Sequence, residues 1–153
     1  MKLLMVCLGN ICRSPLAEGI MRQKIDEKGL DWTVDSAGTA GYHIGEPPHK
    51  LSQKIASLHG ISISNQRCRK LAPKDAHEFD LIFVMDRENY KNAIDILGKD
   101  AAHKVHLILN FIHPGQDQEV PDPWYGEEPL YEEVFLLLDR ACTRVLDHLL
   151  SEK

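Results

Sequence analysis

Runs of four to eight apolar residues alternate along this chain with longer segments whose apolar residues recur every three or four positions. A short apolar run between turn residues suits a strand buried on both faces, and the longer period suits a helix lying on a sheet. Their alternation is the sequence form of a parallel β-sheet covered by helices, an α/β fold. Lys2 to Val6 reads as the first strand. Pro15 to Lys28 reads as a helix, with Leu16, Ile20, Met21, Lys24 and Ile25 on one side and Gly29 as its stop. Thr33 to Asp35 is a short second strand, and GTAGYHIGEPP, residues 38–48, is a surface loop dense in Gly and Pro. A helix over 49–59 closes at Gly60. DLIFVMD, residues 80–86, is the clearest buried strand; a helix runs from Arg87 to about Leu97 before Gly98, and VHLILNF from 105 is expected as the fourth strand. After a loop over 113–129, a terminal helix carries Val134, Leu137, Leu138, Ala141, Val145 and Leu149 at helical spacing.

Length and composition narrow the classes of function. With 153 residues and neither a linker nor a repeat, the chain is expected to form one domain over 1–153. LIFVM at 81–85 is far too short to span a bilayer, and the N-terminus has no signal-peptide pattern, so a cytoplasmic protein without a membrane partner is expected. Four scattered cysteines, at 7, 12, 68 and 142, form no disulfide framework and no C-x-x-C metal pair, so neither metal nor cofactor is expected. A formal net charge of −5 argues against a nucleic-acid partner, whose backbone needs clustered Lys and Arg. Any anion chemistry must therefore be local.

The segment VCLGNICRSPLAEG supplies such a place. Cys7 ends a strand and Pro15 opens a helix, with Ser14 suited to the N-cap, so the loop of Leu8, Gly9, Asn10, Ile11 and Cys12 can aim several N–H groups at one point. The helix dipole and those N–H groups favour the ionised, nucleophilic form of a cysteine held there. Arg13 adds a planar guanidinium that pairs with two oxygens of a phosphate at once. Cys7 alone would read as an ordinary core residue. Strand, C-x-x-x-x-x-R-S and Pro-initiated helix in that order point instead to attack on phosphorus, and the sequence contains neither G-x-x-x-x-G-K-[ST] nor G-x-G-x-x-G.

The same segment resembles the signature of the low-molecular-weight protein tyrosine phosphatases. DSAGTAGYHIG at 35–45, LIFVMD at 81–86 and VPDPWYG at 120–126 resemble further segments of that family, in its order. The resemblance implies a three-layer fold with a four-stranded parallel sheet, order 2-1-3-4, helices on both faces, and a site where the strand order reverses. It implies Cys7 as nucleophile, Arg13 as phosphate ligand and Asp122 as general acid and base, although Asp-Pro-x-x-Gly by itself also describes an ordinary turn. Ser14 is expected either to cap the helix or to support the Cys7 sulfur. Asn10 and Ser36 resemble a supporting network, with Asn65 standing where many members have a histidine. Tyr42, Trp124 and Tyr125 are expected to wall a slot for a phosphorylated phenol ring, Trp124 standing where the family often has tyrosine. The implied partner is a phosphotyrosine protein, an autophosphorylated tyrosine kinase being the natural one. Cys12 could join Cys7 in a reversible disulfide, whereas Cys68 and Cys142 read as structural. Arsenate reduction on the same cradle needs two further cysteines near the third strand, and residues 72–100 contain none. A binding module would need neither the thiolate nor the acid.

Overall fold

The computed structural model describes residues 1–152. Four strands, β1 (Lys2–Cys7), β2 (Thr33–Gly38), β3 (Leu81–Val84) and β4 (Val105–Leu107), pair in the order β2-β1-β3-β4. Every pairing is parallel, and Cys7 stands opposite Gly38 at the C-terminal end of the sheet. The side chains of β1 alternate between two cores. Leu3, Met5 and Cys7 pack with helices α1 (Arg13–Glu27), α2 (Lys50–Leu58) and α5 (Glu128–Ser151), while Leu4 and Val6 pack with α3 (Asp75–Glu78) and α4 (Arg87–Leu97). Burial on both faces is why β1 reads as an unbroken apolar run. Among the described residues, no helix is long and apolar enough to cross a membrane.

Several boundaries differ from the sequence expectation, β3 for one spanning only Leu81–Val84 of the 80–86 run, and three of the differences have a visible cause. Strand β2 continues to Gly38 because Ser36, Ala37 and Gly38 keep register with Met5, Val6 and Cys7. The fourth strand stops at Leu107, and Ile108–Phe111 form a 3-10 turn. Val105 and Leu107 fill the core on the α4 side, but Ile108 and Leu109 fill the one beneath α1 and α5. The chain has to curl around the sheet edge to bury both pairs. Helix α1 begins at Arg13, with Cys12 as N-cap and no side-chain cap bond, so Pro15 lies within the first turn, where its missing N–H costs nothing. Lys24, placed on the apolar side from its spacing, reaches out to pair with Asp139 of α5 at 2.9 Å.

Gly38 allows the sheet to meet the loop after β1 at close range. A Cβ there would lie 2.8 Å from the Leu8 carbonyl oxygen and 2.9 Å from the Asn10 nitrogen, both fixed backbone atoms. Gly38→Ala is therefore expected to destabilise the protein by about 1–3 kcal/mol, the usual range for overpacking. Chemical denaturation would read this as a lower midpoint with an unchanged slope.

Candidate active site

The loop from Leu8 to Cys12 is held from outside by its carbonyls. Cys7 O accepts from Thr39 N at 3.0 Å, Leu8 O from Ala40 N at 2.9 Å, and Ile11 O from His49 N at 2.8 Å. Asn10 O accepts from Cys68 Sγ at 2.7 Å and Cys12 O from Ser52 Oγ at 3.2 Å. Among the described residues, the N–H groups of Leu8 to Cys12 donate to no carbonyl or side chain. Four of the five loop oxygens, all but that of Gly9, are thus engaged outside the loop, and the loop borders a cleft of about 280 Å³ whose lining includes Cys7, Leu8, Gly9, Ile11, Cys12 and Arg13, where the unengaged N–H groups are available to an anion. The α1 N-terminus adds its positive dipole end.

Asn10 makes this shape possible. It is one of two non-glycine residues with positive φ among those described, at 54°, and its side chain is tied on every side. Arg69 N donates to its Oδ1 at 2.9 Å, which fixes the amide's orientation, and its Nδ2 donates to Ser14 Oγ and Ser36 Oγ, each at 2.9 Å. Ser36 Oγ donates onward to Glu18 Oε1 at 2.6 Å. Ser14, expected as a possible cap, uses its oxygen to accept from Asn10 and sits 3.1 Å from Cys7 Sγ, where its proton can face the sulfur. Burial pushes the Glu18 carboxyl above its ordinary pKa, against the hydrogen bond from Ser36 and the charge of Arg22, 2.8 Å away. Asn65 is exposed and takes no part in this network. Its neighbour Gln66 turns inward instead, donating to Pro15 O at 3.1 Å.

Arg13 is almost wholly buried, and its Nη1 bonds Asp86 Oδ2 at 2.8 Å and Val120 O at 3.0 Å. Asp86 in turn caps α4 by accepting from Asn89 N at 2.7 Å. Desolvation opposes the Arg13 charge, but the charges of Cys7, Asp86 and Asp122 outweigh it and raise the guanidinium's pKa. Asp122 stands at the mouth, half exposed, with Oδ2 3.7 Å from Arg13 Nη2 and Oδ1 accepting from Trp124 N at 3.1 Å. The adjoining Pro123 is buried and anchors the turn. Tyr42, Trp124 and Tyr125 are among the residues lining the cleft, with Tyr42 73% and Tyr125 97% exposed, so that both stand at its rim rather than as walls. His43 completes the lining, its ring 5.2 Å from Trp124 and its Nδ1 2.9 Å from Glu46.

All four cysteines are free thiols. Cys12 Sγ lies 3.6 Å from the Tyr131 hydroxyl, and burial raises its pKa to about 12. His49 stacks on Tyr131 at 5.2 Å, meets Trp124 edge-on at 5.5 Å, and caps α2 by accepting from Leu51 N at 3.1 Å through Nδ1. Burial lowers its pKa, with His43 and Lys50 adding to the shift. The fold thus favours neutral His49, so its contribution to stability is complete above the ordinary imidazole pKa of about 6.5 and is lost as pH falls below it. Relative to His49→Asn, which keeps a cap acceptor without titrating, the wild type is expected to lose Tm as the pH is lowered from about 7.5 to 5.5, read by calorimetry; a difference between the two that does not change with pH would contradict this.

Asp86, Glu18, Gln66, His43 and Cys68 belong to the site but were not read as such from the sequence. Only Asp86 carried a usable signal: an aspartate that ends a parallel strand and opens a helix lies on the edge where α/β sheets bind ligands.

Known proteins are similar to this chain over nearly its whole length. The family described as low molecular weight phosphotyrosine protein phosphatase matches residues 2–153. A putative low molecular weight protein-tyrosine-phosphatase of Synechocystis is 45% identical over 99% of this chain and 98% of its own. The crystal structure of YfkJ from Bacillus subtilis superposes with a TM-score of 0.92 at 37% identity, covering 100% of this chain and 96% of that one. Wzb of Vibrio vulnificus, solved in complex with benzylphosphonate, superposes with a TM-score of 0.84 at 28% identity over 93% and 94% of the two chains. By its sequence and its fold, this chain belongs to the low molecular weight protein tyrosine phosphatase family.

Proposed function

We propose that the protein hydrolyses phosphotyrosine through a phosphocysteine intermediate formed on Cys7. One observation carries the reading: Cys7 lies at the base of a loop most of whose carbonyls are engaged outside it, with Arg13 in the lining of the cleft and the Ser14 hydroxyl 3.1 Å from the sulfur. Such a cradle suits the equatorial oxygens of a phosphoryl group as their charge develops. The Cys7 thiolate attacks phosphorus, and protonated Asp122 gives its proton to the phenolic oxygen as the P–O bond breaks. Asp122, now ionised, takes a proton from the water that attacks phosphocysteine, releasing phosphate and the thiolate. Ser14 donates to the sulfur at both stages. Asp86 and Val120 keep the Arg13 fork in the plane it needs.

The aromatic lining supports an aryl phosphate, and the benzylphosphonate complex of the Vibrio protein agrees with it. The test is hydrolysis of a phosphotyrosine peptide beside a phosphoserine peptide, in EDTA with a reducing agent. Turnover of the tyrosine peptide alone is expected, since a serine side chain is too short to carry its phosphate to the cleft floor. Loss of activity in EDTA, or equal turnover of both, would contradict the proposal. An autophosphorylated tyrosine kinase in a reducing cytoplasm is the partner we propose, its dephosphorylation by wild type and not by Cys7→Ser being the check. Under peroxide, Cys7 and Cys12 are expected to give up two protons and two electrons and join as a disulfide, with peroxide reduced to water. Peptide mass spectrometry that finds Cys7 over-oxidised with no cross-link would contradict this.

A further inference from the structure

We infer that Cys68 is a positioning residue for the phosphate loop: its thiol holds the Asn10 carbonyl outward and thereby keeps the Ile11 N–H turned into the cleft. Asn10 C=O and Ile11 N–H belong to one planar trans peptide unit, whose oxygen and hydrogen point in opposite directions. Fixing one fixes the other. This unit follows a left-handed, non-glycine residue, a conformation kept only where the surroundings over-determine it. Rotation of the adjoining peptide is the direct route by which such a residue relaxes. The Asn10 side chain is held by Arg69 N, Ser14 and Ser36, but its carbonyl is held by Cys68 Sγ, at 2.7 Å.

The thiol is presented by a rigid strap. Cys68 N donates to Glu46 O and Cys68 O accepts from Gly45 N, both at 2.8 Å, in the loop that also carries His43. The next residue, Arg69, bonds Asp35 at 3.1 Å and the fully buried Asp75 at 3.0 Å, which tie the strap to the sheet and to α3. Burial, together with the charges of Glu46 and Cys7, pushes the Cys68 thiol up to about 11, so at neutral pH it keeps the proton it donates. Cys142 is a useful contrast, buried still deeper on α5 but with its sulfur 3.9 Å from Ala17 O, away from the loop.

The test titrates inorganic phosphate into wild type, Cys68→Ala, Cys68→Ser and Cys142→Ala, following the Ile11 amide by NMR, with phosphotyrosine-peptide kinetics alongside. Cys68→Ala is expected to weaken phosphate binding about 10-fold, to lower kcat/KM by a similar factor, and to diminish the Ile11 shift, as loosening of one oriented donor requires. Cys68→Ser, which retains a donor within reach, is expected to restore most of both. Cys142→Ala is expected to lose thermal stability while binding phosphate like wild type. Phosphate binding by Cys68→Ala within two-fold of wild type, or Cys68→Ser as weak as Cys68→Ala, would overturn the inference. If the alanine variant does not fold, Cys68→Ser against wild type decides it: phosphate binding within a few-fold of wild type is expected, and binding about 10-fold weaker would overturn the inference. The kinetic arm rests on the phosphatase reading: a wild type that turns over neither peptide would defeat that reading, while the phosphate titration would still judge Cys68.

Discussion

Cys7→Ser is expected to lower turnover of a phosphotyrosine peptide by at least about 10⁴-fold while leaving phosphate binding within a few-fold of wild type. The reason lies in what surrounds the sulfur. Its neighbours are a hydroxyl at 3.1 Å, the donor groups of the loop, and the buried Arg13, all of which suit an anion and none of which can take a proton. A thiol needs no base beside it, because its anion is accessible near neutral pH; a serine hydroxyl attacks only with a base to help, and the cradle holds none. The cradle's ability to hold phosphate does not depend on the sulfur, so binding should survive. Titration of inorganic phosphate into the variant separates the two effects, and a variant that neither binds nor turns over would place the defect in folding.

Asp122→Asn is expected to lower kcat by about 10²–10⁴-fold with little change in KM, the range for loss of a positioned general acid. Asp122 stands at the mouth rather than in the cradle, oriented by Trp124 N at 3.1 Å and with its other oxygen toward Arg13. Asparagine preserves the shape and the Trp124 contact but has no proton to give to the phenolic oxygen. The loss should therefore depend on the leaving group. It should be largest for phenyl phosphate and tyrosine peptides, and smaller for p-nitrophenyl phosphate, whose leaving group departs without protonation. Equal losses across that series would contradict a role in proton transfer.

What was legible in the sequence was whatever the chain keeps local. Cys7, the loop and Arg13 lie within one strand-loop-helix unit, so their order along the chain already fixes their order in space. The parallel sheet was readable because β1 and β3 are buried on both faces and therefore unbroken in apolarity. Partners delivered from distant segments left little such trace, Asp86 alone being marked by its place between a strand and a helix. Asp86 reaches Arg13 from the end of β3, Glu18 reaches Ser36 from α1, and Cys68 reaches Asn10 from irregular chain. Asn65 and Gln66 illustrate the difficulty: in backbone with no period, nothing in the sequence says which of two adjacent polar residues turns inward, and Gln66 does. The fourth strand is present but shorter than its apolar run, for a related reason. Its continuous apolar run is divided between two cores, and a run of apolar residues does not record the face on which each is buried.

The phosphocysteine itself is the most direct test of the account. Asp122→Ala, mixed with p-nitrophenyl phosphate, whose leaving group departs without the acid, and quenched within its first turnovers, should carry one phosphate on the peptide containing Cys7, and that label should be absent from the same variant bearing Cys7→Ser. If the wild type turns the substrate over and no phosphate is found on Cys7 at any quench time, water attacks phosphorus directly and the nucleophilic role assigned to Cys7 is wrong.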